Sequence, residues 1–114
     1  MQNQNAEEER LLREHIDSRR DGHAFPRPFY TDELIYRAEM QRIWRRGWLF
    51  AGFSCEIQKP GDYFTFEIDG DSLIIIRDEE GAARALYNVC RHRGTALLDE
   101  TSGCVASIVC PYLQ

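Results

Sequence analysis

At Trp48 the spacing of apolar residues changes from a helical period to a period of two, and this switch constrains the fold more than any other feature. WLFAGF, YFTFEI, SLIIIR, AARALYNV and CVASIV are runs of strand length. KPGD, DGD, DEEG and TSG separate them, all with the glycine, proline and aspartate chemistry of tight turns. The pattern predicts strands near 48–53, 63–68, 72–77, 83–88 and 104–109, with a hairpin across 63–77 and no helix between 60 and 90. Five short strands with tight turns in so little chain imply a small antiparallel β-sandwich or barrel.

Upstream, the period is helical. TDELIYRAEMQRIWRRGW predicts a helix over 32–46. Thr31 is placed to cap it, Asp32 and Glu33 lie against the positive end of its dipole, and Gly47 ends it. Tyr36, Met40, Ile43 and Trp44 form an apolar stripe that reads as core. RRDGHAFPRPFY, interrupted by Gly22, Pro26 and Pro28, reads as an extended connector. Residues 1–20 carry only a thin stripe at Leu12 and Ile16, as expected of a marginal helix or a mobile arm. The fold class is therefore mainly β with N-terminal helices. The domain division is an arm and helix over 1–47 followed by a β domain over 48–114.

The bulk properties exclude several functions. The 114 residues suit one modest core, and 14 Lys+Arg against 19 Asp+Glu give a net charge of −5, the wrong sign for a nucleic-acid surface. The N-terminus lacks an apolar signal segment, and WLFAGF and LIII are too short to span a bilayer, so no membrane partner is expected and a cytoplasmic location is the default. In that reducing setting four cysteines read as free thiols or metal ligands.

Chemistry concentrates near the C-terminal end, in NVCRHRGTALLDETSGCVASIVCPYLQ. Cys90-Arg91-His92 follows one strand, and Cys110 follows another after the stretch 93–109. Two loops at one end of a small sheet could bring a Cys-x-His pair against the second cysteine, the arrangement a Rieske [2Fe–2S] centre uses. An alternative adds Cys104 to Cys90, His92 and Cys110 as a Cys₃His zinc set. Cys104 otherwise reads as a small buried side chain and Cys55 as an incidental thiol. His15 and His23 read as solvated surface residues.

CRHRG followed by CPY resembles the ligand loops of Rieske non-haem iron oxygenase α subunits, the aromatic-ring-hydroxylating dioxygenase family. Over about residues 25–112 the chain is similar to the N-terminal part of those enzymes, and its PFY, WLFAG and PGDY segments are most similar to the choline and glycine-betaine monooxygenase branch. The resemblance implies an incomplete, ISP-like Rieske β-sandwich over 48–114 that ends before its closing strands. It implies Cys90 and Cys110 as ligands of one iron and His92 as a ligand of the other. Arg93 and Gly94 would shape the first loop, and Tyr112 would lie beside the cluster in the second. The family motif reads CPYH, whereas Leu113 stands at the fourth-ligand position here, and its isobutyl group offers no lone pair.

Further implications follow from the same resemblance. The cluster would take electrons from an NAD(P)H-dependent reductase or ferredoxin and pass them to a mononuclear iron in a C-terminal domain outside these residues, in a homotrimer. Hydroxylation or demethylation of a quaternary ammonium compound would be the chemistry of the betaine branch. The loop disulfide of respiratory Rieske proteins has no counterpart, because Thr95 and Tyr112 occupy its positions, and this points to a low potential, on the order of −150 mV. With Leu113 in place, the expectation is a [2Fe–2S] cluster that is absent or unstable in this chain, a degenerate fragment being the competing description.

Overall fold

The Asp69-Gly70 step carries positive φ at both residues, 48° and 80°, which is the backbone of the two-residue hairpin turn. It joins β1 (Asp62–Ile68) to β2 (Asp71–Arg77) antiparallel, with Phe66 opposite Leu73 and Ile68 opposite Asp71. The computed structural model describes residues 2–112 of the chain. A second turn, in which Asp78 N–H donates to the Ala82 carbonyl and Gly81 has φ 84°, leads into β3 (Ala83–Tyr87) on the far side of β2. β4 (Ser102–Cys104) pairs with the free edge of β1, Asp62 opposite Cys104 and Phe64 opposite Ser102. The sheet order is β3-β2-β1-β4, antiparallel throughout.

Alternation along β1 and β2 puts Tyr63, Ile74 and Ile76 on one face and Phe64, Phe66, Leu73 and Ile75 on the other. Ile74 and Ile57 are completely buried and Tyr63 nearly so, which places the core against the first of these faces. The second face is half-buried.

Two strand expectations are corrected. Residues 48–53 form no strand: the segment runs without regular structure into a 3₁₀ turn at Ser54–Glu56, where Phe53 N–H donates to the Glu56 carboxylate. Both edges of β1 are already taken by β2 and β4, and alternation alone cannot supply a partner edge. The last strand is 102–104 rather than 104–109. Only one further bond, Val105 N–H to the Gly61 carbonyl, extends the pairing before Pro60, which lies beyond the start of β1. Among the described residues there are thus four strands.

The chain divides into two compact units, Met1–Leu49 and Phe50–Gln114. In the first, α1 (Gln2–Asp17) is a full helix and buries Leu12, so the acidic N-terminal segment is more ordered than its thin stripe suggests. Arg42 of the later helix donates to Glu9, and Arg37 lies 3.7 Å from Glu8, tying the two helices at their exposed sides. The connector holds one short helix, α2 (Pro28–Thr31), with Pro28 at its start. Helix α3 (Glu33–Glu39) is capped by Asp32, whose carboxylate accepts from Leu34 N–H at 2.8 Å, while the Thr31 hydroxyl turns back to the Arg27 carbonyl. Capping thus falls one residue later than expected. The helix continues as a π-helical turn over Met40–Trp44, which widens the spacing of the stripe. Ile35 and Met40 are buried, whereas Tyr36, Ile43 and Trp44 are exposed, which corrects the expected core face. His15 is half-buried and meets the edge of Phe29, so it is not a free surface residue, and His23 is exposed as expected. No helix among the described residues is long and apolar enough to cross a membrane.

Candidate metal centre

The loop after β3 is closed by three nested layers of hydrogen bonds. Innermost, Gly94 N–H donates to the Cys90 carbonyl at 2.8 Å, and the positive φ of Gly94 (71°) lets the chain turn there. Around it, Cys90 N–H donates to the Thr95 carbonyl at 2.7 Å. Outermost, the side chain of Asn88 grips Leu97 and Leu98. Cys90 and His92 are carried on this loop, and the Cys90 sulfur lies 3.6 Å from His92 Nδ1. Their donor atoms therefore face the same side.

Cys110 arrives from the segment after β4, near enough to the Cys90 sulfur to lower its pKa. His92 and Cys110 thus each lie beside Cys90. Cys90 is buried, Cys110 half-buried and His92 exposed. The Cys90 thiol is acidified to about 6, first by the backbone N–H of His92 and next by the Cys110 thiol, with His92's ring and the Arg93 N–H adding to both against the opposing effect of burial. A sulfur that is already a thiolate near neutral pH is the form that binds soft metals. Arg93 and Gly94 are exposed on the turn, and Tyr112 is also exposed. Leu113 lies outside the described residues.

The thiol pair and the neighbouring imidazole are donors of the kind a [2Fe–2S] cluster takes, two sulfurs for one iron and a nitrogen for the other. Leu113 contributes no donor, so the set the chain offers is three of the usual four. Among the described residues no three His, Cys, Asp or Glu side chains gather where a single ion could be held. That counts against the Cys₃His zinc set. Cys104 is exposed, not buried as expected, and its thiol faces Asp62 and the Pro60 carbonyl instead of Cys90. Its pKa is raised, chiefly by the Asp62 carboxylate. Cys55 is exposed and lies in the 3₁₀ turn at Ser54–Glu56.

Reading the sequence missed Asn88. The strand pattern places it at the end of 83–88, yet β3 stops at Tyr87 and Asn88 is a buried polar side chain with every polar atom bonded. An asparagine two positions before a cysteine was the available signal, but its partners ten residues on cannot be read from local pattern.

The Rieske [2Fe-2S] domain family matches residues 47–112. The glycine betaine monooxygenase oxygenase subunit of Chromohalobacter salexigens is 43% identical over 99 residues, covering 87% of this chain and 22% of that protein. Among solved structures, a quaternary ammonium Rieske monooxygenase in complex with L-carnitine superposes with a TM-score of 0.70 at 38% identity, covering 76% of this chain and 25% of that one. Naphthalene 1,2-dioxygenase from Rhodococcus sp., bound to indole, superposes with a TM-score of 0.76 at 31% identity, covering 89% and 23%. The chain spans a quarter or less of the length of these relatives.

Proposed function

This chain belongs to the Rieske [2Fe-2S] domain family, and from that premise we propose that residues 48–114 are the electron-transfer portion of a Rieske oxygenase of the quaternary-amine or ring-hydroxylating type. The single observation that carries the reading is the His92 ring 3.6 Å from the Cys90 sulfur, with Cys110 brought near that sulfur from a separate loop. Cys90 and Cys110 would hold one iron and His92 the other. Transfer of one electron at a time is the chemistry such a cluster supplies when bound.

The chain's own residues prepare that site in two ways. Backbone N–H groups of His92 and Arg93 favour the thiolate of Cys90, so this sulfur gives up little proton on binding. Burial of Cys90 beneath the loop keeps water from one side of the pair, while the exposed His92 edge is the side an electron donor can approach. Under this reading the donor is an NAD(P)H-dependent reductase or ferredoxin, and the acceptor is a mononuclear iron in a domain beyond these residues, within a homotrimer in the cytoplasm. The substrate class is taken from the betaine and carnitine enzymes that the chain is similar to: a quaternary ammonium compound.

Leu113 favours a second reading of the isolated chain, in which a cluster is not retained. The two readings are tested together. Iron and acid-labile sulfide should enter substoichiometrically on anaerobic reconstitution, should be lost in air, and should be absent from Cys90→Ser and Cys110→Ser variants. Iron uptake indifferent to both cysteines would remove the proposed site. A stoichiometric, air-stable cluster with a Rieske EPR signal would remove the second reading.

A further inference from the structure

We propose that Asn88 is the positioning residue of the metal-binding loop: its carboxamide closes the loop and so sets the distance between the Cys90 and Cys110 sulfurs. The inference rests on the site reading given above and extends it to a residue outside the proposed ligand set.

Asn88 is 7% exposed, yet all of its side-chain hydrogen-bonding capacity is used locally. Oδ1 accepts from Leu97 N–H and from Leu98 N–H, both at 2.9 Å. Nδ2 donates to the Leu98 carbonyl at 2.8 Å and to the Ser72 hydroxyl at 3.2 Å. Two backbone donors can be met only by the oxygen, so the orientation of the amide is fixed by its partners. Backbone and side chain therefore do different jobs. The Asn88 N–H donates to the Ser72 carbonyl at 2.8 Å and extends the sheet by one rung beyond β3. The side chain then ties that rung to the far end of the loop. Without the amide, the N–H groups of Leu97 and Leu98 would lose these partners.

Cys90 lies two residues into the loop so closed, and its N–H bond to Thr95 sits directly inside the Asn88 bonds to Leu97 and Leu98. If the outer closure opens, the inner pair is free to splay, and the sulfur held toward Cys110 moves with it. A leucine at 88 would fill the space but meet neither amide. An aspartate would keep both acceptor bonds while turning a carboxylate oxygen against the Leu98 carbonyl.

The test uses the apo chain on a Cys55→Ser, Cys104→Ser background and measures the disulfide equilibrium with glutathione. Oxidised glutathione takes two electrons from Cys90 and Cys110, forming one intrachain S–S bond and releasing two glutathione thiols. The equilibrium constant is the effective concentration of one sulfur at the other. Asn88→Leu should lower it by at least about tenfold, and Ser72→Ala, which spares the bonds to Leu97 and Leu98, should stay within about twofold. Circular dichroism and a thermal melt establish that each variant is folded. A folded Asn88→Leu chain with the unaltered constant overturns the proposal. Should that variant not fold, Asn88→Asp takes its place, with a fall expected between those two, and amide hydrogen exchange in the unaltered chain decides independently. Leu97 and Leu98 N–H should be protected relative to their exposed loop neighbours, and exchange at open-loop rates refutes the closure. If the unaltered chain forms no Cys90–Cys110 disulfide at all, the site reading fails, while the exchange measurement still decides the role of Asn88.

Discussion

The Nε–H of Arg77 donates to the carbonyl of Ile57 at 2.8 Å, joining the last residue of β2 to a buried residue in the loop that leads into β1. The same guanidinium reaches the Gly81 carbonyl at 2.9 Å and the Ser54 carbonyl at 3.0 Å. Two loops, the segment 54–57 and the 78–82 turn, are thus pinned by one planar fork whose donors point in fixed directions. A lysine ammonium on a flexible stem cannot reproduce that geometry. We expect Arg77→Lys to cost about 1–2 kcal/mol and Arg77→Ala about 2–3 kcal/mol in urea unfolding. Equal midpoints for the unaltered chain and Arg77→Lys would show that the fork geometry contributes nothing.

Two glycines with similar backbones should respond differently to alanine. Gly61 has φ 89°, and a Cβ built there would lie 2.2 Å from the Val105 carbonyl oxygen. Gly70 has φ 80° with open space around it. Gly70→Ala should therefore cost only the left-handed backbone term, about 1 kcal/mol. Gly61→Ala adds a backbone collision at the point where Gly61 accepts from Val105 N–H, and should cost at least about 2 kcal/mol more. Urea midpoints of the two variants check the ordering, and a Gly61→Ala protein as stable as Gly70→Ala would mean the β1–β4 junction yields freely.

These contrasts also mark what could be read from the chain before its structure was known. Asp69-Gly70 and the 78–82 turn were legible because left-handed residues leave a local signature, and the β1–β2 hairpin and its register follow from them. Motif spacing and the family resemblance already single out Cys90, His92 and Cys110. The absent strand at 48–53 was not, because Trp48–Phe53 alternates like a strand and only the assembled sheet reveals that β1 has no edge left. Cys104 looked buried from its place in CVASIV, yet the strand there ends at Cys104 and leaves the thiol exposed beside Asp62. Asn88 acts on Leu97 and Leu98, partners that no periodicity specifies.

Asp78 gives a pH signature for the β2–β3 turn. Its carboxylate accepts from Arg84 Nε at 2.7 Å and from Ala82 N–H at 2.7 Å, and these bonds hold its pKa below the usual 3.8, the Arg84 contact contributing most. A carboxyl with a depressed folded pKa stabilises fully above its unfolded pKa and loses that contribution as pH falls through the folded value. The gap in melting temperature between the unaltered chain and Asp78→Asn should therefore be constant from about pH 7 to about pH 5 and narrow below pH 3.8. Other carboxyls titrate in both proteins and cancel in the difference. A gap that widens on acidification would show that the charge on Asp78 opposes the turn.

Position 113 separates a missing donor from a missing environment. Leu113→His gives the chain a second imidazole, completing the two-sulfur, two-nitrogen complement in composition. A metal-bound histidine also needs its other ring nitrogen held by a hydrogen-bond partner, and losing such a partner costs about 10–100-fold in affinity. Cys90 has its orientation set by the nested bonds of its loop, whereas nothing introduced by this substitution orients the new ring. We therefore expect Leu113→His to raise iron content after anaerobic reconstitution only slightly, by less than about twofold. Whatever gain appears should vanish in Leu113→His, His92→Ala, because the new ring would share its iron with His92. Iron and sulfide analysis of the three proteins, with EPR of the reduced samples, checks both statements. Full occupancy in Leu113→His would show that the donor alone was lacking, and a gain that survives His92→Ala would mean that the new imidazole binds iron somewhere other than beside His92.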